Sequence, residues 1–155
     1  MVFLKIHLLF VQGTQGLCCA RLVKCVTIWS LQGVGPRERA TKKIPGVELD
    51  ETGNITSYDI EVQCRSVFNN VRTIVEESGS SWDNIIDVTV FLTNMKDDFK
   101  IYNKVYAEFF ADNQPCRTTL EINCLPTPIA IELKVIATID PWKNIQNINS
   151  LIYRQ

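Results

Sequence analysis

Residues 59–110, DIEVQCRSVFNNVRTIVEESGSSWDNIIDVTVFLTNMKDDFKIYNKVYAEFF, change hydrophobic period twice, and those changes decide the fold. From Asp59 the apolar side chains Ile60, Cys64, Val67, Phe68, Val71, Ile74 and Val75 recur at spacings of three and four, the stripe of an amphipathic helix. Ser78, Gly79 and Ser80 stop it. IIDVTVFLT at 85–93 is rich in β-branched and aromatic residues and too short for a helix, which predicts a largely buried strand. NMKDD turns the chain, and Phe99, Tyr102, Val105, Tyr106, Phe109 and Phe110 then return to helical spacing. This second helix is expected to end near residues 111–113, with its aromatic stripe in the core.

Towards the C-terminus, TTLEINC (118–124) and IAIELKVIATI (129–139) read as two strands joined by LPTP. The second alternates Ile129, Ile131, Leu133, Val135 and Ala137 against Ala130, Glu132, Lys134 and Ile136. Towards the N-terminus, DETGN at 50–54 is a turn and VGPRERATKKIPG at 34–46 an exposed loop behind a strand around Val26–Leu31. The resulting order predicts a two-layer α/β (α+β) domain, a mixed sheet with two helices on one face. Its other face needs a cover, and identical neighbours in a closed ring are the economical one.

A chain of 155 residues accommodates one such domain. Apolar residues at 46% and charged residues at 21% are ordinary globular usage. The net charge of −1, without clustered basic and aromatic residues, argues against a nucleic-acid partner. Six cysteines include no CxxC pair, and His7 is the only histidine, so no structural zinc or other metal site is expected. Cys64 in a helical stripe and Cys124 at a strand end read as reduced, core-like thiols. The apolar N-terminal stretch is interrupted by Lys5, His7 and GTQG and falls short of the roughly 18 residues of a membrane span. A secretory leader is the alternative reading of that stretch. The expected organisation is a divergent N-terminal extension (1–28), the domain proper (29–142) and a C-terminal tail (143–155). A cytoplasmic location is expected, with mitochondria as the alternative.

Walker loops, GxGxxG fingerprints, GxSxG elbows and paired metal ligands are all missing from the sequence. What remains for chemistry is PCRTTLEINCLPTPIAIELK (115–134), with Arg117 entering one strand and Glu132 in the middle of another, otherwise apolar, strand. A carboxylate there is partnered or lies at an interface. The plain alternative is a salt bridge to Lys134 or Arg117. Arg117 offers a planar fork that grips a carboxylate through two parallel hydrogen bonds. Its plain alternative is an ordinary surface arginine.

Residues 59–110 followed by PCRTTLEINCLPTPIAIELKVIA resemble the RidA (YjgF) family, over about residues 46–139. GVELDETGNI, the Tyr102–Asn103 pair, and CRTT with LPTP resemble most its branch of 2-aminomuconate deaminases. The resemblance implies a chorismate-mutase-like fold, a homotrimer with ligand pockets at its three subunit clefts, and cofactor-free hydrolytic deamination of imine or enamine carboxylates. Carried over by position, Arg117 matches the arginine that binds the substrate carboxylate, Glu132 the glutamate that positions the attacking water, and Asn103 a further pocket residue. Thr119 stands where the family has a pocket cysteine, with Cys116 displaced to the other side of Arg117 and its backbone beside the leaving nitrogen. Leu31, Gln32 and Gly33 replace a strand motif ending in Ser-Gly, and the family's tyrosine-containing N-terminal segment has no counterpart. A dicarboxylate substrate would need a second cation, for which Arg37 and Arg39 are the candidates. The alternative function is a non-catalytic trimer that binds small carboxylates or a protein partner through the same clefts, using Arg117 but not Glu132.

Overall fold

In the computed structural model, residues 4–11 and 23–139 are described. The elements are β1 (Leu4–Val11), β2 (Val23–Val34), β3 (Val47–Leu49), β4 (Ile55–Tyr58), α1 (Ile60–Glu77), β5 (Ile85–Leu92), α2 (Met95–Phe109), β6 (Cys116–Glu121) and β7 (Ile131–Ile139), with one 3-10 turn at Trp82–Asn84. Both helices and β7 fall where periodicity puts them, whereas β6 runs from Cys116 to Glu121, two residues ahead of the expected start and three short of the expected end. The main sheet runs β1-β2-β7-β5-β6; β5 and β6 are parallel and every other neighbouring pair is antiparallel. A separate hairpin, β3–β4, flanks the DETGN turn. Strand β2 starts three residues before the expected Val26 and crosses residue 28, the end of the expected extension.

Asp59 starts α1 as an N-cap, its carboxylate accepting from the Val62 amide at 3.1 Å. The stripe expected on α1 is buried, and Gln63 joins it with no exposed surface. Gln63 Oε1 accepts the Ala130 amide at 2.9 Å, so a polar side chain inside the core fixes the chain just ahead of β7. Burial along β7 alternates strictly: Ile131, Leu133, Val135 and Ala137 face the helices, whereas Glu132, Lys134 and Ile136 face away. Val88, Val90 and Leu92 of β5 complete the helix-facing layer. Phe91, Ile136, Ile86 (43% exposed) and Leu120 (44% exposed) lie uncovered elsewhere on the sheet.

Three expectations need correction. Phe99 is not core: it is 39% exposed, because α2 buries the face that carries Asp98, Tyr102 and Val105. Strand β6 ends at Glu121, so Cys124 lies in the following loop and is exposed. Among the described cysteines Cys64 alone behaves as a core thiol, and burial pushes it up to about 12. Among the described residues, Glu132 makes no salt bridge to Lys134 or Arg117.

Candidate functional site

Register places Arg117 and Glu132 on opposite faces of the sheet. On the parallel pair β5–β6, Arg117 stands beside Val88 and Thr119 beside Val90, both helix-facing positions. On the antiparallel pair β5–β7, Glu132 stands beside Phe91, on the uncovered face. Cys116 and Leu120 share that uncovered face, beside Asp87 and Phe91. One strand separates β6 from β7, and within one chain the two expected site residues line different hollows.

Arg117 is held by the helix that covers it. Its Nη1 donates to Asn103 Oδ1 at 2.8 Å, and its guanidinium lies 4.5 Å from the Tyr106 ring centroid and 5.8 Å from that of Tyr102. Tyr102, Asn103 and Tyr106 meet it together because positions one turn apart share a helix face. The Tyr102, Tyr106 and Thr119 hydroxyls are buried. Burial raises both phenols, most strongly Tyr102, where Thr119 and then Arg117 pull the other way; for Tyr106 Arg117 does so. A hollow of about 440 Å³ opens beside Arg117, lined by Met95, Phe99, Arg117 and Thr119. It combines an apolar wall with a guanidinium, which suits a carboxylate carrying a short carbon chain.

Glu132 lines a larger cleft of about 610 Å³. Burial raises its carboxyl pKa, and no other cause contributes. Register slips between Leu31 and Val34, and Gly33 within that bulge takes φ +68°, a left-handed conformation that glycine adopts freely. A Cβ on Gly33 would lie 4.0 Å from Glu132 Oε1, so the bulge sits directly beside the carboxylate in the wall of the cleft. Across the cleft stand Arg37, Arg39 and Lys42. Their loop is pinned to α1: Ser66 Oγ donates to the Pro36 carbonyl at 2.7 Å, Asn70 Nδ2 to those of Gly35 and Arg37 at 2.9 and 3.0 Å, and Arg39 pairs with Glu77 at 2.6 Å.

The structure thus gathers the expected residues into two groups, Arg117, Asn103 and Thr119 in one and Glu132, Arg37 and Arg39 in the other. The Cys116 side chain joins neither. Sequence reasoning missed Lys42, the Gly33 bulge, the Tyr106 ring and the place of Phe99 beside Arg117. The glycine inside an apolar strand was the one local signal that could have exposed the bulge. Among the described residues no group of three or more metal-ligating side chains occurs, and no helix is long and apolar enough to cross a membrane.

Comparison with known proteins gives a consistent picture. Residues 43–139 match the family model described as endoribonuclease L-PSP. A RutC family protein of Sulfurisphaera tokodaii is 40% identical over 112 residues, covering 68% of this chain and 89% of that protein. Reactive Intermediate Deaminase A, chloroplastic, of Arabidopsis thaliana is 33% identical over 59% of this chain and 48% of that protein. The crystal structure of the Escherichia coli YjgF gene product superposes with a TM-score of 0.60 at 28% identity, covering 71% of this chain and 79% of that one.

Proposed function

Because the chain belongs to the RidA (YjgF) family, whose model is described as endoribonuclease L-PSP, we propose that it is a hydrolytic deaminase of imine and enamine carboxylates, with residues 29–142 as its working domain and the cytoplasm as its location. The observation that carries this reading is the separation of Arg117 from Glu132 onto opposite sheet faces beside an uncovered apolar surface. Neither hollow holds both Arg117 and Glu132. A second copy laid on the open face joins the Arg117 hollow of one chain to the Glu132 cleft of the next, and three such contacts close a trimer.

In that cleft Arg117 fixes the substrate carboxylate, with Asn103 holding the guanidinium and Thr119 lining the hollow beside it. Glu132 accepts a proton from water as the water oxygen bonds to the imine carbon and the C=N electron pair moves to nitrogen. Glu132 returns that proton to the nitrogen, giving a neutral carbinolamine. Glu132 then takes the hydroxyl proton as the carbonyl forms and passes it to the nitrogen as the C–N bond breaks, so that ammonia and the keto acid leave together. Backbone groups near Cys116 steady the leaving nitrogen. No step calls for a cofactor. An enamine enters the same path as its imine tautomer. For a 2-aminomuconate-like dicarboxylate, Arg37 supplies the distal cation; Arg39 is less available, being paired with Glu77.

The test is ammonia release from freshly generated 2-iminopropionate and from 2-aminomuconate, comparing wild type with Glu132→Gln at equal concentration of assembled protein. Acceleration by wild type, falling about 100-fold in the variant, supports the reading. A folded, assembled wild type that accelerates neither reaction would replace the deaminase with a carboxylate-binding module.

A further inference from the structure

Arginine has several rotatable bonds, and a guanidinium reads a planar carboxylate only when its own plane is held. Arg117 is exposed at the edge strand β6, so strand geometry alone does not hold it. What lies against it is an aromatic stack rooted in the core. The Trp82 and Phe110 rings, 9% and 4% exposed, stack with centroids 4.5 Å apart and planes 26° apart. Phe110 and Tyr106 stack at 4.4 Å and 28°. The Arg117 guanidinium sits 4.5 Å from the Tyr106 centroid. Asn103, one turn before Tyr106, fixes one nitrogen, and four of the five N–H donors remain for a ligand.

We infer that Tyr106 is a positioning residue: its ring, backed by Phe110 and Trp82, sets the plane of the Arg117 guanidinium and so the strength with which the site takes a carboxylate. The inference rests on the proposal that Arg117 binds the substrate carboxylate. The ring is what acts, because the Tyr106 hydroxyl is buried without a partner and makes no bond to Arg117 or to anything else described. Face-on contact with an aromatic ring favours a cation within about 6 Å, and 4.5 Å lies well inside that reach.

Tyr106→Leu and Tyr106→Phe separate ring from hydroxyl. Assembly and thermal unfolding of both variants are checked first; binding of propionate, a stable carboxylate, is measured by calorimetry, and KM and kcat on 2-iminopropionate in parallel. Tyr106→Leu should weaken propionate binding and raise KM about tenfold, with kcat nearly unchanged, while Tyr106→Phe, which keeps the ring, restores both constants. Equal affinity in Tyr106→Leu and wild type overturns the inference, and so does a loss in Tyr106→Phe matching that in Tyr106→Leu. If Tyr106→Leu does not assemble, Phe110→Leu, which removes the backing ring, is measured instead against the same criteria. Propionate binding that depends on Tyr106 without any hydrolysis leaves the inference standing and removes the deaminase. Wild type that neither binds propionate nor hydrolyses imine removes both.

Discussion

Glu132 is a carboxylate whose only perturbation is burial, which disfavours its ionised form and raises its pKa. A general base must be ionised to accept a proton, so turnover should climb as pH rises through that raised value and stay level above it. The rise should be centred above the ordinary glutamate value, in the direction that burial moves this carboxyl. In Glu132→Gln this limb disappears together with most of the rate, whereas propionate binding persists. A kcat–pH profile with an unchanged limb in the variant would assign the titration to another group. Arg117 and Glu132 stood out in the sequence because charged side chains in apolar strands need an explanation. Gln63 did not, since an amide within a helical stripe announces neither its burial nor its bond to the Ala130 amide.

At the scale of elements, a buried phenol–carboxylate contact ties β4 to α2: the Tyr58 hydroxyl donates to Asp98 Oδ2 at 2.8 Å. Asp98 is 4% exposed, and desolvation raises its pKa despite the Tyr58 bond, which pulls it down. Tyr58, pushed up to about 12, and Cys64, also at about 12, stay neutral beside it. A carboxyl with a raised folded-state pKa contributes its stability while protonated and loses it as pH rises through that pKa. Asp98→Asn keeps an acceptor for Tyr58 and removes the charge. Its melting temperature should therefore exceed that of wild type at neutral pH, and the difference should shrink as the medium is acidified. A difference independent of pH would mean that Asp98 ionises freely. Periodicity placed both helices and β7 to within a few residues, because burying one face of an element imposes its repeat on the sequence, while β5 was legible from its β-branched and aromatic content. The β3–β4 hairpin carried no such signal: it is three and four residues long and mostly exposed, and only its DETGN turn was legible.

For the whole molecule, the uncovered sheet face and the divided site lead to one experiment. Arg117→Ala and Glu132→Gln chains, each inactive alone, are unfolded together, refolded as a mixture and assayed. If every cleft takes its arginine from one copy and its glutamate from the next, random mixing leaves about a quarter of the clefts with both native residues. Activity should return to about that fraction of wild type. Recovery no greater than the sum of the separate variants would confine the site to a single chain.

The sequence by itself determined both helices, the strands β5 to β7, the two-layer class and the family, and it singled out Arg117 and Glu132, because hydrophobic period and residue chemistry are local properties of the chain. Only the tertiary structure decided that these two residues face opposite ways, that the loop of Arg37, Arg39 and Lys42 lies across the cleft from Glu132, and that Arg117 rests on Tyr106. A strand's alternation tells which side chains share a face, whereas which face that is depends on register against a distant strand, and shifting the register by one residue would exchange the two.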